Sequence, residues 1–231
     1  MRAFSEIIAM AAVRKGGMSA VEAMLAETPA LPPAQIAATQ DDRILSAMTR
    51  RIFSAGFSSK VIDAKWPAFE EAFHAFVPRR CAHVAEAEFD ALTKNQSIVR
   101  NGAKIRAVQV NAAFILDLAR EHGSAARFFA DWPDSDYVGL LDVLKKRGSH
   151  LGGDSGMRFL RAIGKPAVIS IPDVTAALMR EDVIDRAPSS KGDFKAVQKA
   201  CNAWSAQSGR NLTEIGRILA MTVDSAGRRG H

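Results

Sequence analysis

Apolar residues return every three or four positions along nearly the whole chain, and Ala, Leu, Arg, Met and Glu dominate over β-branched and aromatic residues. That is the period of a helix rather than a strand, and it predicts an all-α protein. Phe4, Ile7, Ile8 and Val13, interleaved with Arg2, Glu6, Arg14 and Lys15, read as an amphipathic helix and not as a signal peptide. Ser19 and Glu22 predict a capping box for a second helix, ending before the breakers Thr28, Pro29, Pro32 and Pro33. A helix is expected from Asp41 to Ala55, stopping at Gly56, and shorter ones through Val61, Phe69 and Phe76 up to Pro78. The longest stripe, Ile105, Val108, Ala112, Ile115, Leu116 and Ala119, predicts a helix from Ala103 to His122 with Gly123 at its C-terminal cap.

Asp134 and Asp136 then open a helix through Val138, Leu141 and Leu144 that closes on Lys145, Lys146 and Arg147, the charge order that a helix dipole prefers. Gly148 to Gly156 (GSHLGGDSG) is too rich in glycine for a helix, and helical spacing resumes at Met157, Phe159, Leu160 and Ile163. This reads as helix, tight hairpin, helix. Further helices are expected from Pro172 and Asp173, from Asp193 to Gln207 and from Thr213 to Val223, with a disordered tail over 227–231.

A length of 231 residues favours one large domain or two small ones, and 48% hydrophobic against 24% charged residues suffices for a sizeable core without staples. The formal charge of +6 favours a polyanionic partner. Cys81 and Cys201 stand far apart with no second Cys or His at ligand spacing, so neither a disulfide framework nor a zinc knuckle is indicated. Apolar runs such as 167–171, interrupted by Ser170, fall well short of the ~18 residues of a membrane span, and a cytoplasmic protein is expected.

The glycine bend is the most informative local feature. Consecutive amides turned outward by glycines beside a helix N-terminus form a nest that holds a phosphate without any side chain. The alternative is an ordinary loop between packed helices, with Lys145, Lys146 and Arg147 as a solvated helix end. Downstream, the stretch Ile171, Pro172, Asp173, Val174 and Thr175 places an acid at the mouth of the next helix, where it could serve catalysis, cap the helix, or do both.

These features resemble the helix-hairpin-helix DNA glycosylase superfamily. In order and spacing, FSSKVIDAKWPAFEEAFHAFVPRRCAHV (57–84), IVRNGAKIRAVQVNAAFIL (98–116), FFADW (128–132) and LKKRG (144–148) are similar to the DNA-3-methyladenine glycosylase I family, over most of residues 40–180. The resemblance implies a helical bundle of about ten to twelve helices in two lobes around a cleft, forming a single unit over 1–226 with an N-terminal extension over 1–39 and a core over 40–226. It also implies base-excision repair: flipping of a damaged nucleotide from double-stranded DNA and hydrolysis of the N-glycosidic bond of an alkylated, 3-methyladenine-like purine.

The chain departs from the family in three respects. It lacks the zinc-binding Cys and His residues, so no metal and no cofactor is expected; Arg51 stands where the family carries a pocket glutamate before the Ala-Gly pair; and Ser58 and Ser59 follow Ala55 and Gly56 where the family has a Trp. Asp173 falls where the wider superfamily places its catalytic aspartate. A carboxylate beside the anomeric carbon stabilises oxocarbenium character and can orient a water.

Phe53, Phe57, Ser59, Trp66, Asn111 and Trp132 are the candidate base pocket, against ordinary core packing for the aromatics; Asn111 could order a loop or read a base edge. Arg100, Lys104, Lys145, Lys146, Arg147, Leu151, Gly152, Gly153, Ser155 and Gly156 are the candidate DNA contacts. Lys145 and Lys146 precede the turn, which argues against a lyase step. A monofunctional monomer is expected, with a catalytically inactive DNA-binding protein of the same fold as the alternative.

Overall fold

The structure is a computed structural model in which residues 1–224 are described; the tail at 227–231 lies outside the described residues. Among those, fourteen α-helices and two short 3-10 turns occur and no strand. In chain order the helices are α1 (Phe4–Lys15), α2 (Met18–Ala26), α3 (Pro33–Ala37), α4 (Asp41–Ser54), α5 (Ser59–Ala72), α6 (Pro78–Ala82) and α7 (Glu86–Lys94). There follow α8 (Gly102–His122), α9 (Ala125–Asp131), α10 (Tyr137–Arg147), α11 (Asp154–Ala162), α12 (Pro172–Arg180), α13 (Lys191–Ser208) and α14 (Leu212–Met221). The five-residue helices α3 and α6 raise the number above ten to twelve, being too short to show a period.

The chain divides into two compact units. One comprises residues 31–132 and 139–165. Its core surrounds α8, whose buried Ile105, Val108, Ala112, Ile115 and Leu118 follow the helical period; α4, which buries Ile44, Leu45, Met48, Ile52 and Phe53, packs on it. Asp41 accepts the amides of Ala125 and Ala126 at 2.9 and 3.2 Å, so the start of α4 caps the start of α9. The other unit comprises, among the described residues, 1–30, 133–138 and 166–224. There α14 buries Ile215, Ile218 and Leu219, Thr213 accepts the Ala167 amide, and the Tyr137 hydroxyl donates to the Val168 carbonyl at 2.9 Å.

Several local expectations are corrected. Ser19 is not the N-cap of α2: the positive φ of Gly16 and Gly17 breaks the chain earlier, and α2 begins at Met18 with Gly17 at its N-cap and no side-chain bond. The capping boxes lie instead at Ser190 with Asp193 and at Asn211 with Glu214. Residues 59–72 form one helix, and Phe76 belongs to a left-handed turn in which His74, Ala75 and Phe76 have φ of +51°, +52° and +58°. Helix α11 starts at Asp154 rather than Met157. Asp173 is not the N-cap of α12, because Ile171 holds that position and Pro172 the first helical one.

Candidate nucleic-acid interface and base site

The bend between α10 and α11 is built by close backbone approach. A Cβ on Gly148 would lie 2.7 Å from the Leu144 carbonyl oxygen, and one on Gly156 would run into that of Leu151, so neither position tolerates a side chain. Gly153 has φ +57° and ψ −134°, a conformation essentially confined to glycine. Leu151 is buried beneath the bend, whereas Gly152, Gly153 and Asp154 are exposed.

Asn111, fully buried in α8, holds the loop from below: its Oδ1 accepts the Ser149 amide at 2.8 Å and its Nδ2 donates to the Ser149 carbonyl at 3.1 Å. Both ends of the amide are thereby used in ordering the loop. The amides of Gly152 and Gly153 make no hydrogen bond among the described residues, and α11 has no side-chain cap. Exposed donors without a partner among the described residues thus stand at the positive end of a helix, an arrangement suited to an anion. Ser155 sits half-buried in the first turn of α11.

The three basic residues before the bend are not equivalent. Arg147 forms a bidentate pair with Glu121 at 2.8 and 2.9 Å and lies over the Phe114 ring, while Lys146 pairs with Asp142 at 2.9 Å. Lys145 is exposed, makes no ion pair among the described residues, and runs alongside Gly152.

The aromatic candidates of α4 and α5 also differ. Phe53 is fully buried and packs edge-on against Phe69 at 4.7 Å. Half-buried Trp66 stacks on Phe69 and Phe76 at 5.2 and 5.4 Å, donates from Nε1 to Glu70 at 3.0 Å, and lies under the Arg50 guanidinium. Burial works to raise the Glu70 carboxyl, but bonds from Arg43, Ser46 and Trp66 outweigh it and hold it below the usual range. Phe57 and Ser59 are exposed on the loop after α4 and at the start of α5.

Lys104 donates to the Ala55 carbonyl at 2.6 Å, neutralising the negative end of α4, and lies over the Phe53 and Phe57 rings; burial lowers its pKa. Asn101 caps α8, and Arg100 before it is exposed without an ion pair among the described residues.

Trp132, half-buried at the end of α9, meets Phe128 edge-on at 5.4 Å, and its carbonyl accepts from the buried Lys165 ammonium. Asp173 is half-buried in the first turn of α12. Sequence reasoning singled out Arg51 but not its neighbours Arg50 and Arg158, with which it forms a cluster. Arg50 bonds Asp63, and Arg158 bonds Asp154 at 2.6 Å. Only the four-residue spacing of Asp154 and Arg158 could have signalled part of it. Among the described residues no group of His, Cys, Asp and Glu is arranged to hold a metal ion.

The methyladenine glycosylase family model matches residues 35–139, the segment that runs from α3 into α10. That segment, a little under half of the chain, is similar to the methyladenine glycosylase family. A DNA-3-methyladenine glycosylase of Haemophilus influenzae is 32% identical over 66 residues, 29% of this chain, and the match spans 36% of that relative's length. Among solved structures, 3-methyladenine DNA glycosylase I of Staphylococcus aureus is 23% identical with a TM-score of 0.50, covering 59% of this chain and 80% of that one.

The 8-oxoguanine glycosylase/lyase of Methanocaldococcus jannaschii, solved with a 15mer DNA containing 8-oxoguanine, has a TM-score of 0.51 at 12% identity over 93% of this chain and 95% of its own. The fold is therefore that of the helix-hairpin-helix glycosylases, and it extends beyond the family match to nearly the whole chain. Among the described residues no helix is long and apolar enough to cross a membrane.

Proposed function

We propose that this protein is a monofunctional, monomeric DNA glycosylase that flips an alkylated, 3-methyladenine-like purine out of double-stranded DNA and hydrolyses its bond to deoxyribose. The observation that carries the reading is the glycine bend fastened by Asn111, with exposed Gly152 and Gly153 whose amides make no hydrogen bond among the described residues, in a chain whose residues 35–139 match the methyladenine glycosylase family model. The amides, together with Lys145 and Arg100, hold the strand through its phosphates, and the extruded base is received by faces of Phe57 and Trp132, since the Trp66 ring is occupied by Phe69, Phe76 and the Arg50 guanidinium. A methylated purine carries positive charge and leaves readily, so the reaction needs little acid assistance. Asp173 stabilises the developing oxocarbenium ion and orients the attacking water.

A lyase step needs an amine free to attack the sugar. Lys165, the lysine nearest in sequence after α11, is buried with its ammonium donating to the Ala130 and Trp132 carbonyls, which supports hydrolysis alone. Arg51, standing where the family has its pocket glutamate, favours a second reading in which the same fold binds DNA without releasing a base.

The test is release of free bases from methylated duplex DNA. Asp173→Asn should lower the rate at least ~100-fold with duplex binding retained, the scale of one acid–base group. Full excision by that variant would remove Asp173 from the mechanism, and binding without any release by the unaltered protein would leave the second reading.

A further inference from the structure

The last turn of α4 carries an arginine without an acceptor among the described residues. Arg51 is half-buried, yet among the described residues it makes no hydrogen bond or ion pair. That is unusual for this molecule: Arg180, Arg210 and Arg217, similarly shielded, each donate to carboxylates, hydroxyls or carbonyls. The neighbours of Arg51 aggravate its position. Burial is the main influence lowering its pKa, and the like charges of Arg50 and Arg158 act the same way, with only Asp63 opposing. Asp63 already accepts from Arg50, and Asp154 already accepts from Arg158. Three guanidinium groups against two carboxylates leave one positive charge uncompensated, partly desolvated and with all five N–H donors available.

The setting narrows what can satisfy it. Arg158 lies one turn into α11, whose first residue, Asp154, follows the glycine bend directly, and α4 packs against α11. A purine cation would be repelled from this cluster. A phosphate matches it, since its oxygens accept two parallel N–H bonds from one guanidinium fork. We infer that Arg51, flanked by Arg50 and Arg158, is a phosphate-binding site, and that a phosphodiester of the DNA strand held at the α11 hairpin is its ligand. The inference rests on the glycosylase reading for its source of phosphate, but not for the chemistry of the site.

Two measurements test it. The first is the salt dependence of binding to an undamaged duplex for the unaltered protein, Arg51→Gln and Arg51→Lys. Loss of one phosphate contact lowers the slope of log K against log salt by about 0.9, so the affinity advantage over Arg51→Gln should shrink about 3.5-fold between about 50 and 200 mM salt, while Arg51→Lys keeps most of the slope. The second is titration of the unaltered protein with inorganic phosphate, followed by the side-chain Nε resonance of Arg51, which should shift.

An unchanged slope in Arg51→Gln with excision intact would overturn the inference and leave the glycosylase reading standing. A shift with phosphate but no duplex binding would uphold the anion site while removing DNA as its source and the glycosylase reading with it. Since the guanidinium makes no bonds among the described residues, Arg51→Gln should melt close to the unaltered protein. A large loss of thermal stability would assign Arg51 a structural role and sink the inference.

Discussion

Three basic residues stand in a row before the bend, and the partners of each decide what it can contribute. Lys146 and Arg147 spend their charge on Asp142 and Glu121, whereas Lys145 has none of these partners. Lys145→Gln should therefore weaken duplex binding and lower its salt slope by about 0.9, and Lys146→Gln should change the slope less, as fluorescence anisotropy at several salt concentrations would show. Asn111 illustrates the reverse case, a polar residue whose work is internal. Asn111→Ala would strand the Ser149 amide and carbonyl in a buried setting, at about 1–3 kcal/mol for an unsatisfied group, and would loosen the bend. Thermal unfolding and duplex binding measured together should both suffer; unchanged binding would separate the bend from DNA recognition.

Among the elements, the turn after α5 stores backbone strain. Ala75 is exposed and left-handed, and its carbonyl accepts from Arg43 at 2.7 Å, which helps to keep the turn in place. Glycine adopts this conformation without the Cβ conflict, so Ala75→Gly should stabilise the protein by up to ~1 kcal/mol in a denaturant titration. The start of α13 is a capping box in which the amides of Ser190 and Ser189 hold the Asp193 carboxyl down at about 2, from 3.8. A lowered folded pKa contributes stability that is complete above the unfolded value and is lost as pH falls through the folded one. Melting temperature should thus decline from about pH 4 towards pH 2, and Asp193→Asn should flatten that part of the profile while lowering the plateau above it. Both capping boxes follow the Ser/Asn-x-x-Asp/Glu spacing that sequence patterns contain. Spacing alone did not separate them from Ser19 and Glu22, where two glycines set the start of α2.

For the whole molecule, the likeness to a glycosylase/lyase over 93% of the chain places α12 to α14 within the same fold as the family segment that ends at residue 139. Most helices, the proline and glycine breaks between them and the glycine bend were legible in the order of residues, because helical period, caps and breakers act over one or two turns. Leu151 and Gly156 were recognised as part of the bend, but their parts in it, a buried anchor and a site where a Cβ would meet the Leu151 carbonyl, emerged only from packing. The charges show the same division. Sequence alone determined how many cations the chain carries and that several cluster near the bend and near the start of α8. Only the tertiary structure decided that Lys104 is engaged by a carbonyl 49 residues away, that Arg147 is neutralised by Glu121, and that Arg51 has no acceptor among the described residues. Such pairings depend on where distant helices meet, which no periodicity within one helix encodes.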